Sequence, residues 1–217
     1  MIIAIDGPAA SGKGTIARAL AKHYGLAHLD TGLLYRAVGR AVLNQLENDN
    51  LEQLALKAAE ELDESQIDGA ALDSTEIAMA ASKVARFEPV RVALRQYQRE
   101  FADQPGGAVL DGRDIGTRIC PDAETKLFIT AEPEVRAARR VAQFKAQGID
   151  TVYDEILAQI VTRDKNDRQN PAGAFYLADG AHLIDTSQLD IEAALRQAIA
   201  IVDGTVEHKM GRGASPK

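Results

Sequence analysis

The chain has 217 residues, 46% of them apolar and 26% charged, which is ordinary for a soluble protein and enough for one large globular core. Its net charge of −7 argues against a general nucleic-acid surface, and no apolar run approaches the ~20 residues that span a bilayer. The single cysteine, Cys120, excludes an internal disulfide, fits a reducing compartment and reads as a packing residue. Met1 leads straight into an apolar stretch with no basic n-region, so the expectation is a cytoplasmic protein without a secretory leader.

In chain order, Ile2–Asp6 reads as a buried strand. It runs into Gly7-Pro8-Ala9-Ala10-Ser11-Gly12-Lys13-Gly14-Thr15, and helical spacing follows at Ile16, Ala17 and Leu20. A strand, a Gly-rich turn and a helix N-terminus in that order form a phosphate-binding loop. Backbone N–H groups converge on one centre, the helix dipole adds partial positive charge, and Lys13 adds a full one. The loop therefore calls for a nucleoside triphosphate. The hydroxyl that commonly follows the lysine is replaced by Gly14, with Thr15 one place later. Magnesium is then expected to be held by phosphates and water, with Thr15 or Asp111 as the protein's candidate ligands.

Further candidate strands are Ala27–Asp30, Ala108–Asp111, Lys126–Thr130 and His182–Asp185. Strands alternating with helices predict a three-layer α/β P-loop fold around a parallel sheet of about five strands. The whole chain, 1–217, reads as one kinase-like domain with its ligands beyond the carboxyl ends of the strands. Within it, 37–101 reads as an inserted region. Its part from Leu46 to Ile77 is acidic, with Leu51, Leu54, Ala55, Ala58 and Leu62 at helical spacing. A helix over 75–101 is interrupted at Glu88-Pro89. The stretch 162–181, with Asn170-Pro171 and Gly173, reads as an irregular, mobile lid. Residues 207–217 read as a flexible tail.

Three segments suggest a second phosphorylated ligand. Asp30-Thr31-Gly32 follows a strand and opens the helix carrying Tyr35 and Arg36. Asp111-Gly112-Arg113-Asp114 ends another strand, with Asp111 where a Walker-B carboxylate stands. Arg163-Asp-Lys-Asn-Asp-Arg168 has five charged residues of six and lies in the expected lid. Such a run is by default a solvated face, yet an Arg-rich arm can close over phosphates and expel water. Lys13, Arg36, Arg113, Arg136, Arg140, Arg163 and Arg168 supply more cations than one triphosphate needs, with Arg136 and Arg140 on the donor side. Two phosphorylated ligands bridged by cations are what phosphoryl transfer requires.

With these residues in place, the chain resembles the bacterial cytidylate kinases, a nucleoside-monophosphate kinase family, over nearly its whole length. The likeness rests on Gly7–Thr15, Leu29-Asp-Thr-Gly-Leu-Leu-Tyr-Arg36, Ala80-Ala-Ser82 with Val90-Arg91, Asp111-Gly-Arg-Asp114, Pro121-Asp-Ala, and Arg163-Asp with Asp167. It implies a monomer that moves the γ-phosphate of ATP, with Mg2+, to CMP and dCMP. Arg36, Arg113 and Arg163 would bind the CMP phosphate or the transferred group. Ser82, Arg91 and Asp114 would meet the cytosine ring, and Asp167 the ribose. Thr31 and Tyr35 belong to the same acceptor motif. Two departures stand out. Asn170 replaces an arginine usual in the family's lid, with Arg168 as a candidate substitute, and the 46–76 region is short and helical where many members carry a β-strand insert. A kinase for UMP or AMP is the nearest rival; Asp114, Arg91 and Ser82 argue against it. A GTP-hydrolysing switch would need a guanine-reading Asn-Lys-x-Asp motif, which the sequence lacks.

Overall fold

A computed structural model describes residues 1–63, 67–170, 173 and 175–212, with the backbone alone for 208–212. Glu64 of the acidic insert, Pro171, Ala172 and Ala174 of the expected lid, and 213–217 of the expected tail lie outside the described residues.

Five parallel strands form one sheet in the order β2-β3-β1-β4-β5. They are β1 (Ile2–Asp6), β2 (Ala27–Asp30), β3 (Ala108–Gly112), β4 (Thr125–Thr130) and β5 (His182–Asp185). Register is direct, with Ile5 opposite Asp111 on one side and Leu127 on the other. From the central β1 the chain crosses to the edge strand β2 and returns inward to β3 on one side, then builds outward through β4 and β5 on the other. The crevice where that direction reverses lies beyond β1, the usual ligand position in an open parallel sheet.

Helices cover both faces: α1 (Lys13–Tyr24), α2 (Thr31–Ala41), α3 (Leu51–Glu60), α4 (Thr75–Val84), α5 (Glu88–Ala102), α6 (Pro133–Ala146), α7 (Tyr153–Gln169) and α8 (Ile191–Arg212). One core packs β1 and β3 residues Ala4, Ala108 and Leu110 against Leu34, Val38, Leu51, Ala55 and Leu94 from α2, α3 and α5. On the other face Ile3, Ile5, Val109, Leu127, Ile129 and Ile184 meet α1 and α8 through Ile16, Leu20, Ala194, Ala198 and Val202. Phe144, Ile156 and Ile160 with Ala137 form a separate small core that zips α6 to α7.

Two glycines set close approaches. A Cβ on Gly7 would lie 2.0 Å from the carbonyl oxygen of Ile129, so only glycine lets the loop leave β1 hard against β4. A Cβ on Gly39 would lie 2.7 Å from the backbone nitrogen of Ala81, so α2 and α4 pack backbone to backbone there.

Three expectations need correction. The segment from Thr162 is not irregular: α7 continues as regular helix to Gln169, because Ile156 and Ile160 anchor it and Asp164 is held by an ion pair. Residues 207–212 are not a frayed tail but the end of α8. Between 46 and 74, only Leu51–Glu60 forms an α-helix among the described residues, so the insert is less helical than its spacing suggested. The interruption at Glu88-Pro89 is present, with Pro89 in the first turn of α5.

Candidate active site

The loop after β1 opens α1 at Lys13, and Gly12 takes a left-handed φ of 89° so that the chain can turn into the helix. Its residues Ala10, Ser11, Gly12, Lys13, Gly14 and Thr15 line a cavity of about 620 Å³, joined by Arg139 and Arg140 from α6. Arg139 is fixed by Thr186 after β5, whose hydroxyl and carbonyl oxygens accept from its guanidinium at 2.9 and 2.6 Å. Lys13 Nζ stands 3.3 Å from Asp111 Oδ2, while Asp111 Oδ1 is 2.8 Å from His28 Nε2. Burial pushes the Asp111 carboxyl up, but Lys13 and His28 outweigh it and hold it below the usual carboxylate range. Burial also pulls the Lys13 ammonium down, against the opposing pull of Asp111. Ser11 Oγ and Asp111 Oδ2 are both buried without a hydrogen-bond partner. An orphaned hydroxyl and an orphaned carboxylate oxygen beside a lysine suit a magnesium triphosphate. Among the described residues no group of three or more His, Cys, Asp or Glu could hold a metal by itself. Thr15 is exposed and lines the cavity.

A second cavity of about 720 Å³ opens between α2 and α4 on one side and α6 and α7 on the other. Arg36, Ser82, Arg140 and Arg163 line it, with Lys83 and Arg86 at its α4 side. Arg140 and Gln143 line both cavities, so the two are neighbours. Arg163 has a buried Nε without a hydrogen-bond partner. Its guanidinium is held down to about 10, first by burial and then by repulsion from Arg113, with Arg36 and Arg140 adding to it. Arg36, Arg140 and Arg163 thus face one space from three helices, while Arg113 lines neither cavity.

The remaining acceptor-side residues are joined in pairs. Arg91 and Asp114 form a buried ion pair, with Arg91 set 5.6 Å above the Tyr35 ring. Burial pushes the Tyr35 hydroxyl up to about 12. Arg113 Nε donates to Asp167 at 2.7 Å, which clasps α7 to the turn after β3; burial opposes the charge on Arg113, and Asp167 more than restores it. Thr31 is buried at the start of α2, its hydroxyl donating to the Asp111 carbonyl oxygen at 2.9 Å. It supports the site rather than lining either cavity.

Besides Arg113, two expected cations line neither cavity. Arg136 is only 2% exposed, and its guanidinium donates to Asp164 at 2.6 and 3.1 Å and to the Ala131 carbonyl oxygen. It joins α6 to α7 and lines neither cavity. Arg168 is exposed and lines neither cavity, while Asn170 donates to the Ala85 carbonyl oxygen at 3.1 Å. Sequence reading missed His28, Arg139 and Asp73. His28 could have been found by the two-residue period of β2, which places it on the same strand face as Asp30. Arg139 precedes Arg140 in the helix already noted for cations. Asp73 lies in an acidic run, and nothing in its spacing marks it.

A Gly-rich anion loop at the reversal point of a parallel sheet, with an arginine-lined cleft beside it, is the architecture of a P-loop phosphotransferase. The chain matches the cytidylate kinase family over residues 3–204. It is 55% identical over 203 residues to a cytidylate kinase of Xanthobacter autotrophicus, covering 94% of this chain and 97% of that one. A cytidylate kinase of Nitrobacter winogradskyi is 50% identical over 212 residues, covering 98% and 100%. The chain belongs to the cytidylate kinase family and is an enzyme of the nucleoside-monophosphate kinase class. The crystal structure of an uncharacterized protein from Eubacterium ventriosum shares the fold at a TM-score of 0.57 and 16% identity, over 94% of this chain and 98% of that one.

Proposed function

We propose that the enzyme transfers the γ-phosphoryl group of ATP to CMP and dCMP, giving ADP and CDP or dCDP, with Mg2+, as a monomer in the cytoplasm. The observation that carries this reading is the gathering of Arg36, Arg140 and Arg163 around one cleft that shares Arg140 and Gln143 with the cavity of the Gly-rich loop. Like charges gathered at such cost in one place fit a polyanion that neutralises them.

In this reading the Gly7–Thr15 loop and Lys13 hold the donor phosphates, with Arg140 at the boundary. Magnesium, when bound, neutralises charge on the phosphate oxygens; Asp111 Oδ2 and Thr15 are the protein groups fit to orient it. Arg36 holds the acceptor phosphate. Arg113 and Arg163 steady the charge that develops on the transferred group. Ser82, Arg91 and Asp114 read the cytosine edge, where an amino group donates to a carboxylate and ring acceptors receive from Arg or Ser. Uracil would leave that carboxylate unpaired and be rejected. Asp167 reaches the ribose from the lid, and α7 shields the transfer from water. No helix among the described residues is long and apolar enough to cross a membrane, which agrees with a freely diffusing enzyme.

ATP consumption measured with CMP, dCMP, UMP, AMP and GMP tests the reading. The expected result is turnover with CMP and dCMP well above the others. No preference for CMP or dCMP would overturn it.

A further inference from the structure

Asp73 lies just before α4, in the insert, where the chain is pinned by the buried Leu72. Its carboxylate reaches across the cleft and gathers four side-chain donors. Arg140 Nη2 stands at 3.0 Å, Gln143 Nε2 at 3.1 Å, Gln147 Nε2 at 3.3 Å and Arg36 Nη1 at 3.4 Å. Arg140, Gln143 and Gln147 are spaced at i, i+3 and i+7, so one face of α6 presents all three. Burial pushes the Asp73 carboxyl up, but Arg140, Gln147 and Arg36 outweigh it and hold it below the ordinary carboxylate range. Arg140 and Gln143 line both cavities. The carboxylate, which lines neither cavity itself, therefore holds two side chains that stand where the loop's cavity meets the arginine-lined cleft.

We propose that Asp73 is an affinity-tempering placeholder: an internal carboxylate that occupies the donors of the acceptor-phosphate subsite and must be displaced by the incoming phosphate. Two charged forks and two amides converging on one small anion make a site with phosphate chemistry. A carboxylate offers two oxygens and one negative charge. A phosphate monoester offers three free oxygens and close to two charges, so it outcompetes the carboxylate for the same donors. A ligand without a phosphate cannot. Asp73 thus lowers affinity for phosphorylated acceptors alone, which narrows the gap between a nucleotide and its nucleoside and keeps the arginines from holding a phosphate too tightly. The inference rests on reading this cleft as the acceptor site.

The test compares wild type, Asp73→Asn and Asp73→Ser, with CMP varied at saturating ATP, and with CMP and cytidine binding measured calorimetrically. Removing the competing charge should lower KM and Kd for CMP about three- to tenfold, the scale of one half-exposed charge pair. Cytidine affinity should stay unchanged, and Asp73→Glu should keep the wild-type KM. Inorganic phosphate, used as a competitor against CMP, should inhibit the Asn variant at lower concentration than wild type. If Asp73 were only a tether that positions Arg36 and Arg140, its removal would raise KM for CMP. An unchanged or raised KM in whichever neutral variant folds overturns the inference. A wild type that does not turn over CMP overturns the underlying reading instead.

Discussion

The two halves of the cleft are built from different materials. Around the Gly7–Thr15 loop the anion site is mostly backbone, set by a strand, a helix start and one glycine wedged against Ile129. On the other side the site is made of long cationic side chains, most of them already joined to acids. Arg36 and Arg140 meet Asp73, Arg91 meets Asp114, and Arg113 meets Asp167. A backbone site is ready before its ligand arrives. A side-chain site with internal partners must trade those partners for the ligand, so its affinity is a difference between two sets of contacts. In the proposed reading, the loop side supplies phosphate binding in general terms and the side-chain half carries selectivity.

Four substitutions sharpen that contrast. Lys13→Ala should strike hardest, lowering kcat about 10²–10³-fold, the usual scale for removing one preorganised charge-stabilising donor; steady-state assays with ATP and CMP check it. Next comes Asp6, at the end of β1, which accepts from the backbone nitrogens of Ile115 and Gly116 at 2.8 Å each. Burial raises its carboxyl to about 6 despite those two bonds. An acid whose folded-state pKa is raised favours folding in its protonated form. Wild-type stability should thus fall relative to Asp6→Asn as pH rises from about 4 to 6, by about 3 kcal/mol, then level off. Urea unfolding of both proteins at pH 4.5 and 7 measures this, and a constant difference would contradict the buried-acid account. Asp114→Asn should raise KM for CMP about 10- to 100-fold, because it weakens a buried charge-assisted pair, while KM for ATP stays within about twofold. Equal loss for both substrates would erase the proposed division of labour. Smallest of all, Arg168→Ala should leave kcat and KM within about twofold, as expected of an exposed surface residue. A large loss would mean that α7 swings far enough to bring Arg168 into the cleft.

The same contrast separates what could be read from the sequence. All five strands were legible as short apolar or β-branched runs, four of them ending in Asp or Gly. So was the anion loop, because its glycines are demanded by backbone geometry. Side-chain pairing was not. Arg136 and Arg140 lie four residues apart on one helix and look alike, yet one is walled in with Asp164 while the other faces both cavities. Which of them is available depends on Asp164 and Asp73, residues that lie 28 and 67 positions away in sequence. The stretch from Thr162 read as irregular because Asn170-Pro171 and Gly173 follow within a polar sequence. Its helix is held from below by Ile156 and Ile160, and tertiary packing overrode the local composition. The C-terminal extent of α8 was missed because the stretch from Glu207 is polar and Gly-rich, yet helix continues to Arg212.

The contact at Gly39 has a consequence of its own. It lies one turn beyond Arg36 on α2 and touches Ala81, the neighbour of Ser82 on α4. In the proposed reading these two residues grip opposite ends of one acceptor nucleotide. Holding the second end then becomes an intramolecular event whose effective concentration depends on a fixed span. Gly39 is the ruler that fixes this span. Enlarging it would leave each grip intact and degrade the avidity between them, so a nucleoside and a free phosphate would each bind as before while the joined molecule lost its advantage.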